Sequence, residues 1–418
     1  MLTRADFPIF SAPVPDASRP LTYLDSASTA QRPAVVLEAM DRYHREFNSN
    51  VHRGVHHLSQ RATEAYERTR RLLRVVLNAA ESDEILFTKG CTEGINLVAA
   101  AYLAPRLQPG DEMCVTELEH HANLVPWQLV AEAHGAKIRG IPVLPSGELD
   151  LDRLEDVIHA RTRMVAVTQI SNALGTIVPI EPILRRAREV GAATLLDGAQ
   201  AGAHALIDVR AWDVDFYVIS GHKQYGPTGV GTVYGRRARL ESMRPYQSGG
   251  GMIQTVELER STFAPIPARF EPGTPNIAGF IGWGAALEAI AGVDVGTDFS
   301  REQWETGVGA LMAHEAALRP QLDDVLASVP GVRRLGPENR IGIASFVMEG
   351  VHPHDIGTVL DQHNIAVRTG HHCCQPLMRR LGVPATVRAS LGAYNTPDDL
   401  EALRRGLLAV HAMFGGSG

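Results

Sequence analysis

One apolar run that ends in a lysine-bearing turn restricts the fold of this chain more than any other segment. Asp215 to Ile219 is followed by Ser220-Gly221 and then by a turn closed by Gly226, Pro227 and Gly229. The β-branched and aromatic run reads as a buried strand, and the glycines and proline as its punctuation. That turn carries Lys223. Folds of the α/β class bind ligands just past the carboxyl ends of such strands. A lysine desolvated there loses its charge readily and becomes a nucleophilic amine. Taken alone, Lys223 reads as an ordinary solvated loop residue, and only its neighbours argue otherwise.

The same pattern occurs upstream, where Ala193-Thr-Leu-Leu196 ends in Asp197-Gly198. A carboxylate at a strand end either caps the next helix or pairs with a pyridinium nitrogen, the partner pyridoxal phosphate needs as an electron sink. The interval from Asp197 to Lys223 has room for one helix and one strand, so both ends can face one crevice. Farther back, Glu84-Ile-Leu-Phe-Thr88 reads as a strand and Lys89-Gly-Cys-Thr-Glu-Gly94 as a tight turn. A helix is predicted over Ile95–Tyr102. The free N–H groups of a first helical turn suit an anion, although Thr92-Glu93 is also an ordinary helix start. The turn lacks the lysine-serine ending of a nucleotide loop and no G-x-G-x-x-G follows a strand, which argues against ATP and NAD.

A fourth segment, Ile365-Ala-Val-Arg-Thr-Gly-His-His-Cys-Cys-Gln-Pro376, crowds two histidines, an arginine and two cysteines into a glycine-broken loop. Neighbouring positive charge lowers a thiol's pKa and makes it reactive. Structural zinc and an inert buried thiol are the other readings. Zinc ligands are usually spaced C-x2-4-C with a second pair elsewhere, and four consecutive residues do not reach one tetrahedral ion. A catalytic thiol in a mobile loop is favoured.

These segments lie in an alternation of strands and helices from Tyr23 to Phe280, with strands predicted at Ile85, Met113, Val165, Leu195, Phe216 and Thr232. That rhythm implies a mostly parallel sheet with helices on both faces. Beyond Glu288 the pattern changes to long helices with short strands at Ile343–Met348 and Ile365–Val367. The expectation is a large domain over 23–285 and a small α+β domain formed by 1–22 and 286–418. With 418 residues, 44% of them hydrophobic, the chain has material for both cores. A net charge of −7 without a basic run argues against nucleic acid. No apolar stretch approaches a membrane span, and Met1 to Pro15 holds Asp6 and prolines rather than a leader core. Four cysteines, two of them adjacent, make no disulfide framework and suit a reducing cytoplasm.

Read together, the motifs resemble the cysteine desulfurases, pyridoxal-phosphate enzymes of fold type I with a class-V aminotransferase-like sequence. The form most resembled serves SUF-type iron–sulfur cluster assembly. The resemblance rests on Tyr23-Leu-Asp-Ser-Ala27, Asn50-Val-His-Arg-Gly54, Cys91-Thr-Glu-Gly-Ile-Asn96, Glu119-His-His-Ala-Asn-Leu-Val-Pro-Trp127 and Ser171-Asn-Ala-Leu-Gly175. It continues through Asp197-Gly-Ala-Gln200, Ser220-Gly-His-Lys223, Phe270-Glu-Pro-Gly-Thr-Pro-Asn276, Arg368-Thr-Gly-His-His-Cys373 and Arg388-Ala-Ser-Leu391. Any one is modestly specific; their order and completeness are not.

The resemblance implies a role for each matching position. Lys223 holds the cofactor covalently and serves as base, Asp197 faces the pyridinium nitrogen, Gln200 the phenolic oxygen, and His120 stacks on the ring. Thr92, Ser220 and His222 bind phosphate, with Cys91 where threonine is common and Thr274 supplied by the other subunit of a homodimer. Asn172, Arg388, Arg368 and His52 contact the substrate, L-cysteine. Cys373 takes the sulfur as a persulfide. His354 corresponds to a histidine that, in SUF enzymes with a small zinc-containing acceptor, takes over a zinc coordination place. Two positions depart from the pattern: Cys91, and Cys374 where alanine is common, which leaves Cys374 as a second sulfur acceptor or a disulfide partner. Selenocysteine lyases and cysteine sulfinate desulfinases share this constellation. A non-enzymatic metal or redox module on His371–Cys374 is the remaining alternative.

Overall fold

The computed structural model describes residues 2–12 and 19–414. Among these residues the strands, in chain order, are β1 (Thr22–Tyr23), β2 (Ile85–Thr88), β3 (Glu112–Thr116), β4 (Lys137–Ile141), β5 (Thr162–Thr168), β6 (Ala193–Asp197), β7 (Phe216–Ser220) and β8 (Gly231–Gly235). They continue with β9 (Ile253–Val256), β10 (Ser261–Phe263), β11 (Val332–Leu335), β12 (Ile343–Met348), β13 (Ile365–Ala366), β14 (Arg368–Gly370) and β15 (Thr386–Ser390).

The main sheet has the order β2-β8-β7-β6-β5-β3-β4. Only β8 runs against the others, pairing antiparallel with both β2 and β7. All six strands expected from apolar runs are present, and they read as continuous runs because helices cover both sheet faces. The strand missed there is β4, at the edge, where Lys137, Arg139 and Gly140 are exposed and little apolar signal remains. On one face, the helix Ile277–Ala291 is buried at every residue but Ala289. It packs against the helices Ala34–Glu46 and His57–Leu77. Apart from Glu288, whose carboxylate meets Arg68 at 3.1 Å, it is apolar all round, as expected of a helix enclosed by its neighbours. The division expected at residue 285 falls within this helix.

Two details depart from expectation at the second motif. The helix starts at Cys91 rather than Ile95 and continues as a wider π-turn over Val98–Leu103. It starts early because Gly90, at φ +152°, turns the chain directly off β2. Gly231 must also be glycine-sized here: a Cβ on it would lie 2.4 Å from Gly90 Cα.

The second sheet has the order β11-β12-β15-β14, antiparallel throughout. Of its four strands only β12 was expected; the strand expected at Ile365–Val367 is β13, which lies outside this sheet. Its core is separate and gathers Leu318, Leu322, Phe346, Leu360, Val387, Leu403 and Leu407. The N-terminal segment joins this part through β1, which pairs in parallel with β13. Among the described residues no helix is long and apolar enough to cross a membrane.

Candidate active site

The loops following β2, β3, β5, β6 and β7 all leave the carboxyl ends of strands that run the same way, so they gather at one edge of the main sheet. There they line a cavity of about 240 Å3. Its walls hold Cys91 and Thr92 after β2, His120 after β3, Asn172 after β5, Asp197 and Gln200 at β6, and Ser220, His222 and Lys223 at β7. From the second sheet come Arg368, Cys373 and Arg388. Twelve of the fifteen residues expected at the site are thus brought together.

The electrostatics suit amine chemistry. Burial lowers the Lys223 ammonium pKa, against the opposing pull of Cys91 and Asp197. Burial raises Asp197, while the Ala199 N–H, donated to Oδ1 at 2.9 Å, and the Lys223 charge hold it down. His120 is pushed down to about 4, by burial first and by Lys223 next. Its Nδ1 accepts the Ala122 N–H at 3.0 Å, so the neutral ring carries its proton on Nε2. His222 is also pushed down to about 4 by burial.

Three atoms of these residues, Gln200 Oε1, His222 Nδ1 and Arg388 Nε, are buried without a partner among the described residues. Buried polar atoms are rarely left so. A phosphorylated pyridine bearing a phenolic oxygen, together with a carboxylate substrate, offers the donors and acceptors they require. The residues present therefore fit pyridoxal phosphate. Ser220 Oγ accepts the Cys91 N–H at 2.9 Å, which leaves the hydroxyl proton of Ser220 available for an anion. Thr92 is exposed at the first helical turn.

Arg388 is 2% exposed and sits directly opposite Arg368 across β14 and β15. Its charge is met by Asp25 Oδ1 at 3.0 Å and the Asn172 carbonyl at 2.8 Å. Asp25 was not singled out from sequence, although it lies inside the Tyr23–Ala27 motif. The Asn172 side chain is engaged at both ends. Its Nδ2 donates to the His372 carbonyl at 2.7 Å, and its Oδ1 accepts from Cys374 Sγ at 3.0 Å.

That bond separates the two adjacent thiols. Cys374 is fully buried, facing Asn172 and the Leu118 carbonyl, and burial pushes its thiol far up. Cys373 is partly exposed on the cavity wall. The Cys374 N–H donates to the His371 carbonyl at 2.9 Å, and the residues between, His372 and Cys373, have φ of +52° and +56°. Positive φ at both central residues is the pattern of a type I′ turn, which normally selects Asn-Gly. A histidine and a cysteine there carry strain of about 1–2 kcal/mol each.

Three expected residues lie elsewhere. His52 and Thr274 line a separate cavity of about 770 Å3. His52 Nε2 is 2.8 Å from Glu67 Oε1. Arg70, buried in the same wall, pairs with Glu67 at 2.8 Å and with Glu271 at 2.7 Å. His354 is exposed in the first turn of the helix Pro353–Gln362. That helix packs closely on β14, the strand leading to Cys373: a Cβ at Gly357 would come 2.7 Å from Thr369 Cγ2. Among the described residues no group of three or more His, Cys, Asp or Glu side chains is arranged to hold a metal ion.

Residues 22–403 match the family model described as aminotransferase class-V. The chain belongs to the class-V aminotransferase family. It is similar to a cysteine desulfurase of Dickeya dadantii, 45% identical over 99% of this chain and 97% of that one. In three dimensions it is similar to a cysteine desulfurase from Escherichia coli (39% identity, TM-score 0.87, 98% of both chains). An apo cysteine desulfurase from Thermococcus onnurineus is similar too (36% identity, TM-score 0.88, 99% of this chain and 98% of that one). The architecture is thus that of pyridoxal-phosphate enzymes of fold type I, with the cavity described above at the sheet edge.

Proposed function

We propose that this class-V family member is a cysteine desulfurase, converting L-cysteine to L-alanine and leaving the sulfur as a persulfide on Cys373. The observation that carries this reading is that a partly exposed thiol, Cys373, and a lysine whose ammonium pKa burial lowers, Lys223, open onto one cavity. Lysine alone serves many reactions of amino acids. The thiol lining the same cavity adds a second nucleophile, partly exposed where Cys374 is buried.

Pyridoxal 5′-phosphate, when bound, supplies an electron sink for negative charge at the substrate's α-carbon. Lys223, Asp197, Gln200 and His120 hold its ring, and Ser220, His222, Thr92 and the turn at Cys91 hold its phosphate. Arg388, with Arg368 at the mouth, orients the substrate carboxylate. The Lys223 amine, its basicity lowered by burial, accepts the α-proton as general base. The Cys373 sulfur forms an S–S bond to the substrate sulfur as the carbon–sulfur bond breaks. The three-carbon product takes up a proton and leaves as alanine, so cysteine plus enzyme thiol becomes alanine plus enzyme persulfide.

Purified enzyme is expected to form alanine from cysteine, and with a thiol reductant to release one sulfide per alanine. Cys373→Ala should keep the visible absorbance of the bound cofactor and form no persulfide. Undiminished persulfide in that variant rules out Cys373 as the acceptor.

The finer assignment is the SUF type, acting as a cytoplasmic homodimer that passes sulfur to a small zinc-containing acceptor for iron–sulfur cluster assembly. Unpaired thiols at all four cysteines suit a reducing compartment. Thr274 and His52, in a cavity apart from Lys223, suit completion of a partner's site rather than their own. The exposed His354, on a helix packed against the Cys373 strand, suits exchange for an acceptor's zinc-bound cysteine. His354→Ala should abolish acceptor stimulation while leaving turnover with small reductants intact; full stimulation at saturating acceptor removes the zinc-exchange idea.

A further inference from the structure

The Glu119-His120-His121 run places consecutive histidines on two different structures. His120 lines the cavity with its ring. His121 instead brackets the nucleophile turn. Its backbone N–H donates to the Cys373 carbonyl at 2.7 Å. Its Nε2 accepts the Gln375 N–H at 3.2 Å, so the neutral ring carries its proton on Nδ1. Gln375 opens the helix Gln375–Arg380 immediately after the turn. One bond therefore fixes the second strained residue, Cys373, and the other fixes Gln375, the first residue beyond the turn. The Gln375 N–H is one of the donors that a helix start leaves unpaired, and the imidazole is what satisfies it.

We propose that His121 is a positioning residue for Cys373: its imidazole anchors the helix start that holds the His371–Cys374 turn in its left-handed conformation against the cavity. The proposal rests on the reading of Cys373 as the sulfur-accepting thiol. The peptide unit joining His120 to His121 then fixes where the thiol lies relative to the ring-stacking position, although Cys373 stands on the other sheet.

The test uses the cofactor-loaded enzyme. His121→Ala keeps the backbone bond and removes the side-chain one. It should lower kcat about 2- to 10-fold, as one lost hydrogen bond implies. The KM for cysteine and the visible cofactor absorbance should not change, and amide hydrogen exchange over residues 371–378 should quicken. His121→Gln, whose side-chain oxygen can accept the Gln375 N–H, should restore both kcat and protection. Unchanged kcat and exchange in His121→Ala overturn the proposal. So does a His121→Gln variant as defective as His121→Ala, which would show that a hydrogen-bond acceptor is not what the site requires. Cys373→Ala, assayed alongside, separates the two readings. If it retains turnover, the sulfur-acceptor assignment falls, while exchange over 371–378 still decides whether His121 anchors the turn.

Discussion

The buried ring of His372 sets an acid limit on the nucleophile turn. It is 4% exposed, with Nε2 at 2.7 Å from Thr386 Oγ1 and Nδ1 unpartnered among the described residues. Burial, and then the Arg388 charge, push its pKa down to about 2. In the unfolded chain the same ring takes a proton near pH 6.5. Between these values the unfolded state holds the extra proton, so stability rises with pH through the window and levels off above 6.5. At pH 4.5, two units below the unfolded value, His372 alone removes about 2.7 kcal/mol relative to neutral pH. His120 and His222, both near 4, add contributions of the same sign. Against a total of roughly 5–15 kcal/mol, this is a large fraction.

His372→Gln removes the titration while leaving an amide able to meet Thr386. At pH 7.5 the variant should be less stable by about 1 kcal/mol, the worth of an imperfect hydrogen bond. At pH 4.5 it is spared about 2.7 kcal/mol and should be the more stable protein by roughly 1–2 kcal/mol. Urea unfolding of the cofactor-loaded enzyme, followed by circular dichroism at fixed protein and cofactor concentration, gives the difference at each pH. Acidic side chains titrate in both proteins and cancel in the comparison. A difference between variant and wild type that stays constant from pH 7.5 to 4.5 refutes the reasoning.

Lys223→Ala should abolish both turnover and the visible absorbance of lysine-linked cofactor; an unchanged spectrum with unchanged alanine formation removes the assignment. Cys374→Ala should retain most turnover, with at most a few-fold loss from the missing bond to Asn172; a total loss, with Cys373 dispensable, would exchange the roles of the two thiols. Arg388→Ala should raise the KM for cysteine at least tenfold and destabilise the fold by about 3–5 kcal/mol, since it strips the counter-charge from the mostly buried Asp25. Unaltered thermal unfolding in that variant would show that Asp25 does not depend on the pair.

What was legible in the sequence follows from how each element is buried. Strands β5, β6 and β7 are covered on both faces, so their apolar runs stand out, and the polar residue ending each one marks the cavity. Edge strand β4 has no such run. Strand β15 is buried throughout but contains Arg388, which is tolerated there only because Asp25 and Asn172 meet its charge from other parts of the chain. No local rule anticipates that. The Cys373 loop was legible as chemistry but not as geometry. Its residue types mark a reactive thiol, whereas positive φ at two consecutive non-glycine residues is imposed by distant contacts. Asn172 and His121, which supply those contacts, lie some 200 and 250 residues away.

The balance of energies at that turn explains why the thiol belongs to both sheets. Two left-handed residues carry about 2–4 kcal/mol of strain. The restraining bonds made by the turn's own backbone and by the His372 ring are Cys374 to His371, Asn172 to His372, His121 to Cys373 and His372 to Thr386. At about 0.5–1.5 kcal/mol each they sum to roughly 2–6 kcal/mol, enough to offset the strain with little to spare. Two of the four originate in loops of the main sheet, from Asn172 and His121, while the turn itself hangs from the second sheet between β14 and β15. Separating the two sheets slightly would therefore release the thiol before disturbing Lys223 or Asp197, which stand on the main sheet alone. Sulfur transfer should fail at lower perturbation than cofactor binding does. In mild urea, persulfide formation should decline while the visible cofactor absorbance is still intact; simultaneous loss of the two would place the thiol and the lysine in a single cooperative unit.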